Sequence, residues 1–69
     1  MITAGTYRHF KGKNYKVVMI AKHSETLEEY VVYQALYGEK GMWVRPLTMF
    51  EESIEVSGNI VKRFEYIGE

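Results

Sequence analysis

Glu28-Glu29-Tyr30-Val31-Val32-Tyr33-Gln34-Ala35-Leu36-Tyr37 sets Tyr30, Val32, Gln34 and Leu36 in alternation with Val31, Tyr33, Ala35 and Tyr37. A repeat of two is the period of a strand, whose successive side chains leave opposite faces. Both faces of this strand are largely apolar, so both are expected to be covered. A closed or nearly closed small barrel covers a strand in this way, whereas an open sheet with one wet face does not.

The neighbouring segments extend the pattern in both directions. Downstream, Gly38-Glu39-Lys40-Gly41 reads as a hairpin turn into a short strand, Met42 to Arg45, which Pro46 must end or hold at an edge. Proline suits the start of a helix, because the N–H it lacks would be unpaired there, so Leu47 to Glu52 is predicted to form one or two helical turns. Ser57-Gly58-Asn59 is a turn, and Val61 to Ile67 the last strand. Upstream, Thr6 to Phe10 and Tyr15 to His23 are strands separated by the turn Lys11-Gly12-Lys13-Asn14. In the second of them Tyr15, Val17, Met19 and Ala21 are assigned to one face, and Lys16, Val18, Ile20 and Lys22 to the other. Ser24 to Leu27 is a polar loop. Five short strands with one helical turn before the last predict an all-β, SH3-like barrel formed as a single domain over residues 1–69. An OB-type barrel is the alternative, although it usually requires more chain and a longer helix.

Composition agrees with this class. Val, Ile, Thr, Tyr, Phe and Trp supply 26 of 69 residues, while Ala and Leu supply only six. There is no cysteine, which excludes disulfide staples and thiolate zinc sites. No apolar stretch is long enough to span a bilayer, and no export signal is visible, so a cytoplasmic protein is expected. Nine Lys and Arg balance nine Glu, but unevenly. Residues 1–23 carry five cations and no acid, a distribution that fits an anionic partner. The plainer reading is that strands from both halves interleave and their fields cancel.

No catalytic set is recognisable. His23-Ser24-Glu25 brings three useful groups together in sequence, yet a triad needs a hydrogen-bonded chain of them and an oxyanion site. The plainer reading is a loop whose hydroxyls bond local backbone. His9 and His23 lack metal-ligand spacing, and no glycine pattern fits a phosphate loop. The remaining signal is aromatic and basic residues interleaved, in Tyr7-Arg8-His9-Phe10-Lys11 and Trp43-Val44-Arg45. Flat rings offer stacking platforms worth roughly 1–3 kcal/mol per base, and Arg adds phosphate or cation–π contacts. Phe10, Phe50, Phe64 and Tyr33 are assigned to the core. Trp43 and Arg45 share a strand face and form a ligand surface if that face is open.

Gly5-Thr6-Tyr7-Arg8-His9-Phe10-Lys11-Gly12, His23-Ser24-Glu25-Thr26, Val32-Tyr33, Leu36-Tyr37-Gly38, Trp43-Val44-Arg45-Pro46, Met49-Phe50 and Arg63-Phe64, in that order, resemble a small bacterial family known as domain of unknown function 1653. The resemblance spans residues 5–67 and implies an SH3-like barrel in a stand-alone cytoplasmic protein, with no assigned activity. Gln34 departs from it, since many members have Arg there. His9, His23, Glu25, Tyr33, Trp43 and Arg45 match the family pattern and are the candidate ligand-binding residues. The expected function is a non-catalytic binding module without cofactor or metal, contacting RNA or single strands. The alternative is a protein-interaction module or small homodimer, with no membrane partner in either case.

Overall fold

The computed structural model describes residues 2–68. Its strands are β1 (Gly5–His9), β2 (Asn14–Lys22), β3 (Glu29–Ala35), β4 (Met42–Pro46), β5 (Ser53–Val56), β6 (Asn59–Lys62) and β7 (Phe64–Gly68), with helix α1 (Leu47–Phe50) after β4. Five strands form one antiparallel sheet in the order β4-β3-β2-β1-β7, while β5 and β6 pair separately. The last strand thus returns beside the first, leaving β4 and β7 as the edges. This is the small all-β domain expected, with its helical turn directly after Pro46.

The count of strands differs from the expected five. Ser57 and Gly58 both have positive φ, at 51° and 83°, the geometry of a tight two-residue hairpin turn. They join β5 to β6, with Val56 opposite Asn59. The stretch expected to run unbroken from Val61 to Ile67 is split at Arg63 for a hydrogen-bonding reason. The Arg63 N–H donates to the Glu52 carbonyl at 3.0 Å, and its own carbonyl accepts the Phe10 N–H at 2.9 Å. One residue is therefore tied to the chain entering the hairpin and to the turn after β1.

The faces of β2 also differ from simple alternation. The β2–β3 register shifts between Val17 and Met19, leaving Val18 as the extra residue of a bulge. Tyr15 and Val17 point into the core, but beyond the bulge the phase inverts. Ile20 then packs on the core and Met19 lies exposed. In β3, Val31, Tyr33 and Ala35 are buried, while Tyr30, Val32 and Gln34 are only half-covered. The expected coverage of both β3 faces is thus complete on one face alone.

Tyr7, Val17, Val31, Tyr33, Phe50 and Phe64 make the core. Its centre is a stack of Phe50 on Phe64, with ring centroids 4.1 Å apart and planes 5° from parallel. Tyr7 and Tyr33 meet Phe50 edge-on, the arrangement favoured by ring quadrupoles. Helix α1 is a single turn, so packing rather than intrinsic helicity holds it, with Phe50 as its one buried side chain. Phe10, assigned to the core from sequence, is 37% exposed, because it is the first turn residue after β1.

Candidate functional site

The sheet register brings three of the six candidate residues together. Trp43 lies directly opposite Tyr33, and Arg45 opposite Val31. Directly paired residues share a sheet face, so Trp43 and Arg45 lie on the face that carries Tyr33 and Val31. The Arg45 guanidinium stands over the Phe64 ring at 5.5 Å, and its Nε–H donates to the Tyr33 hydroxyl at 3.4 Å. Arg45 forms no ion pair among the described residues, whereas Arg63 is held by Glu52 at 2.7 Å. Trp43, on the edge strand, is 57% exposed.

His9 joins this cluster from β1. Its ring lies 4.9 Å from Phe64 and 6.3 Å from Tyr15, nearly edge-on to both. Burial, reinforced by Arg45, Arg63 and Lys11, holds its pKa below the ordinary histidine value. Nδ1 accepts the Lys11 N–H at 3.2 Å, so the neutral ring carries its proton on Nε2. His9 therefore fastens the β1–β2 turn while its ring packs against the aromatic cluster.

His23 makes the same kind of turn elsewhere. Its Nδ1 accepts the N–H groups of Glu25 and Thr26 at 3.2 and 3.3 Å, and its ring lies 5.9 Å from Tyr30. It borders a shallow depression of about 250 Å³ with Tyr30, Val32 and Val44, on the sheet face opposite the core. Glu25 contributes its backbone N–H, not its carboxylate, and Thr26 Oγ1 accepts the Glu28 N–H at 3.2 Å. His23 and Glu25 are thus parts of a locked turn and do not join His9. Among the described residues no group of three His, Cys, Asp or Glu converges to hold a metal.

Residues outside the candidate set complete the cluster. Tyr15 packs edge-on against Tyr33, Tyr37 and Phe64, and its hydroxyl hydrogen-bonds that of Tyr37. Burial first, then this bond, push the Tyr15 pKa up to about 12. Lys13 sits over the Tyr37 ring at 4.7 Å. Gln34, where the family resemblance has Arg, donates from Nε2 to the Lys40 carbonyl at 3.0 Å and ties down the β3–β4 turn. A second cleft, of about 590 Å³, separates β1 from the β5–β6 hairpin and is walled by Arg8, Phe10, Ile60 and Lys62.

This arrangement is suited to binding planar or anionic groups: one open indole, a bed of tyrosines and phenylalanine, and cations held on ring faces. The model of a family described as a protein of unknown function (DUF1653) matches residues 5–66. The chain belongs to the DUF1653 family. A solved structure of another DUF1653 protein, from Bordetella bronchiseptica, is similar to it at 36% identity and a TM-score of 0.89. The similarity covers 97% of this chain and 88% of that one. No curated protein matches the chain. Among the described residues of this DUF1653 domain, no helix is long and apolar enough to cross a membrane.

Proposed function

We propose that this domain is an SH3-like, non-catalytic binding module of the cytoplasm that contacts RNA or single-stranded DNA through the face carrying Trp43 and Arg45. The order β4-β3-β2-β1-β7, with a helical turn before the returning strands, supports the SH3-like reading, with β5–β6 as an inserted hairpin. One observation carries the functional reading. Arg45 is supported by the Phe64 ring and the Tyr33 hydroxyl, has no carboxylate partner among the described residues, and shares its face with the open Trp43. A ring and an unneutralised guanidinium on one strand face, two positions apart, offer a base a stacking surface and a phosphate a cation. Lys13, poised over Tyr37, adds a second cation. Zero formal charge overall limits the number of phosphate contacts and predicts modest affinity.

Anisotropy titration of labelled mixed-sequence RNA and DNA single strands tests the proposal, with the single tryptophan as an internal reporter. The expected result is binding tighter than about 100 μM at low salt, weakening as salt rises. Trp43→Ala should weaken it by about fivefold or more, the lower end of the stacking contribution of roughly 1–3 kcal/mol. Arg45→Ala should reduce both affinity and salt dependence. Absence of binding tighter than about 100 μM at low salt, where phosphate attraction is least screened, removes the proposal.

A further inference from the structure

The edge strand β4 reads Met42-Trp43-Val44-Arg45-Pro46; of the residues that commonly blunt an exposed edge it has only Arg45, whose guanidinium is folded over the Phe64 ring, and Pro46 at its very end. Met42 and Val44 are 54% and 63% exposed. The opposite edge, β7, carries Glu65 and ends beside a register shift. The Ala35 N–H donates to the Gly41 carbonyl at 2.9 Å, which fixes the hydrogen-bonding phase of the β3–β4 pair. Two and four residues on, Trp43 and Arg45 direct their backbone groups toward β3. Met42, Val44 and Pro46 direct theirs away from the sheet, where the described residues provide no strand to receive them.

We propose that β4 is a self-pairing edge, and that two copies of this chain join antiparallel along it with the two-fold axis at Val44. The strand is complementary to itself in this register. Val44 meets the partner subunit's Val44 and exchanges both outward backbone bonds with it. Met42 meets the partner subunit's Pro46, whose carbonyl accepts the Met42 N–H. Proline, lacking an N–H, falls at the end of the paired segment, where edge strands tolerate it. Trp43 meets the partner subunit's Arg45 at a non-hydrogen-bonded position, where facing side chains approach most closely. Each guanidinium then lies beside an indole, twice by symmetry. A formal charge of zero leaves no net repulsion between copies. The faces carrying Trp43 and Arg45 become continuous across the joint.

Sedimentation equilibrium without nucleic acid measures this pairing independently of the RNA reading. The expected result is a monomer–dimer equilibrium with half-dimerisation reached below about 1 mM, the behaviour of a small transient interface. Val44→Lys and Val44→Glu, at an exposed position, should each weaken dimerisation at least tenfold, because like charges then face each other across the axis. Mixing the two variants should restore a heterodimer, which only a residue that faces itself can do. Amide exchange adds a measurement on the unaltered chain. Met42 and Val44 amides should gain protection with concentration, while those of Trp43 and Arg45, already bonded to β3, should not change. A chain that stays monomeric to about 1 mM, variants that dimerise as the parent does, or a mixture that stays monomeric each overturn the proposal. Unchanged exchange at Val44 with concentration overturns it as well.

Discussion

Gly5→Ala tests whether the closure of β1 on β7 depends on a missing side chain. Gly5 has φ +144°, where L residues are rarely found, and a Cβ built there would lie 2.8 Å from Tyr66 Cε1 and 2.9 Å from the Gly68 carbonyl oxygen. The backbone conformation costs about 1–3 kcal/mol for a side-chain-bearing residue. The overlap adds about 1–3 kcal/mol, because one of the two obstacles is backbone and cannot rotate aside. Reduced entropy of the unfolded chain returns only about 0.4–1 kcal/mol. The net expectation is a loss of about 2–4 kcal/mol. A domain of this size holds roughly 3–10 kcal/mol in total, so the loss is a large share of it. Urea titration should show the midpoint falling with little change in slope, and thermal unfolding a decrease of about 10–25 °C. Gly12→Ala is the control: φ is +101° but nothing lies within 4 Å, so only the conformational cost applies. Gly5→Ala within about 0.5 kcal/mol of the parent, or no worse than Gly12→Ala, would refute the reasoning.

Three further perturbations bear on the turns and the aromatic cluster. Leu27 is exposed with φ 63°, so Leu27→Gly should stabilise the domain by about 0.5–1 kcal/mol in urea melts, relief of strain exceeding the added chain entropy. The Tyr15 hydroxyl, raised to about 12, remains protonated when the unfolded side chain ionises near 10. Its contribution is therefore complete below pH 10 and is lost as pH climbs toward 12. After discounting for solvent access that loss is about 1 kcal/mol, to be followed by tyrosinate absorbance and alkaline unfolding, and Tyr15→Phe should flatten it. For His9 the sign is opposite: its folded pKa lies below the unfolded value, so the folded state binds fewer protons and stability falls as pH drops below about 6.5. Histidine ring shifts followed by NMR should show His9 titrating at lower pH than a free imidazole.

The parts of the fold legible in the sequence are those in which one local signal acts alone. The apolar alternation of Tyr30 to Ala35 located β3, and Pro46 located both the end of β4 and the start of α1. Misreadings arose where a distant hydrogen bond decides. Nothing local in Val61 to Ile67 marks Arg63 as a break, because its bonds run to Glu52 and Phe10. The bulge at Val18 is equally silent, since Val17, Val18, Met19 and Ile20 are all apolar and either phase satisfies the pattern. Ser53-Ile54-Glu55-Val56 alternates, but four residues following a helical turn give a weak periodic signal.

The candidate site divides along the same physical line. Trp43 and Arg45 are legible as one surface because they share a strand face, but Tyr33, assigned to the core, joins them only through the β3–β4 register, which periodicity alone does not set. The meeting of Tyr15, Tyr37 and Phe64 with them carries no local signal, since it depends on the β2–β3 register and on the return of β7 beside β1. Four of the five cations in the basic N-terminal third fall into two populations, while Lys16 lies between Thr6 and Gln34. Arg8 lies opposite Glu65 and Lys22 opposite Glu29, so strand pairing sets those cations against carboxylate residues, as interleaving predicts. Lys11 and Lys13 instead lie in the β1–β2 turn, over the rings of Phe10 and Tyr37. Both histidines use Nδ1 to secure the backbone of a turn, so general-base chemistry at that nitrogen would require breaking the turn it holds. Hydrogen bonds among the described residues leave uncommitted the Nε2 atom of each histidine, the side-chain nitrogens of the ring-supported Lys11 and Lys13, and the Trp43 indole. Those groups are of the kinds that recognise charge and flat surfaces, which supports the proposed binding role.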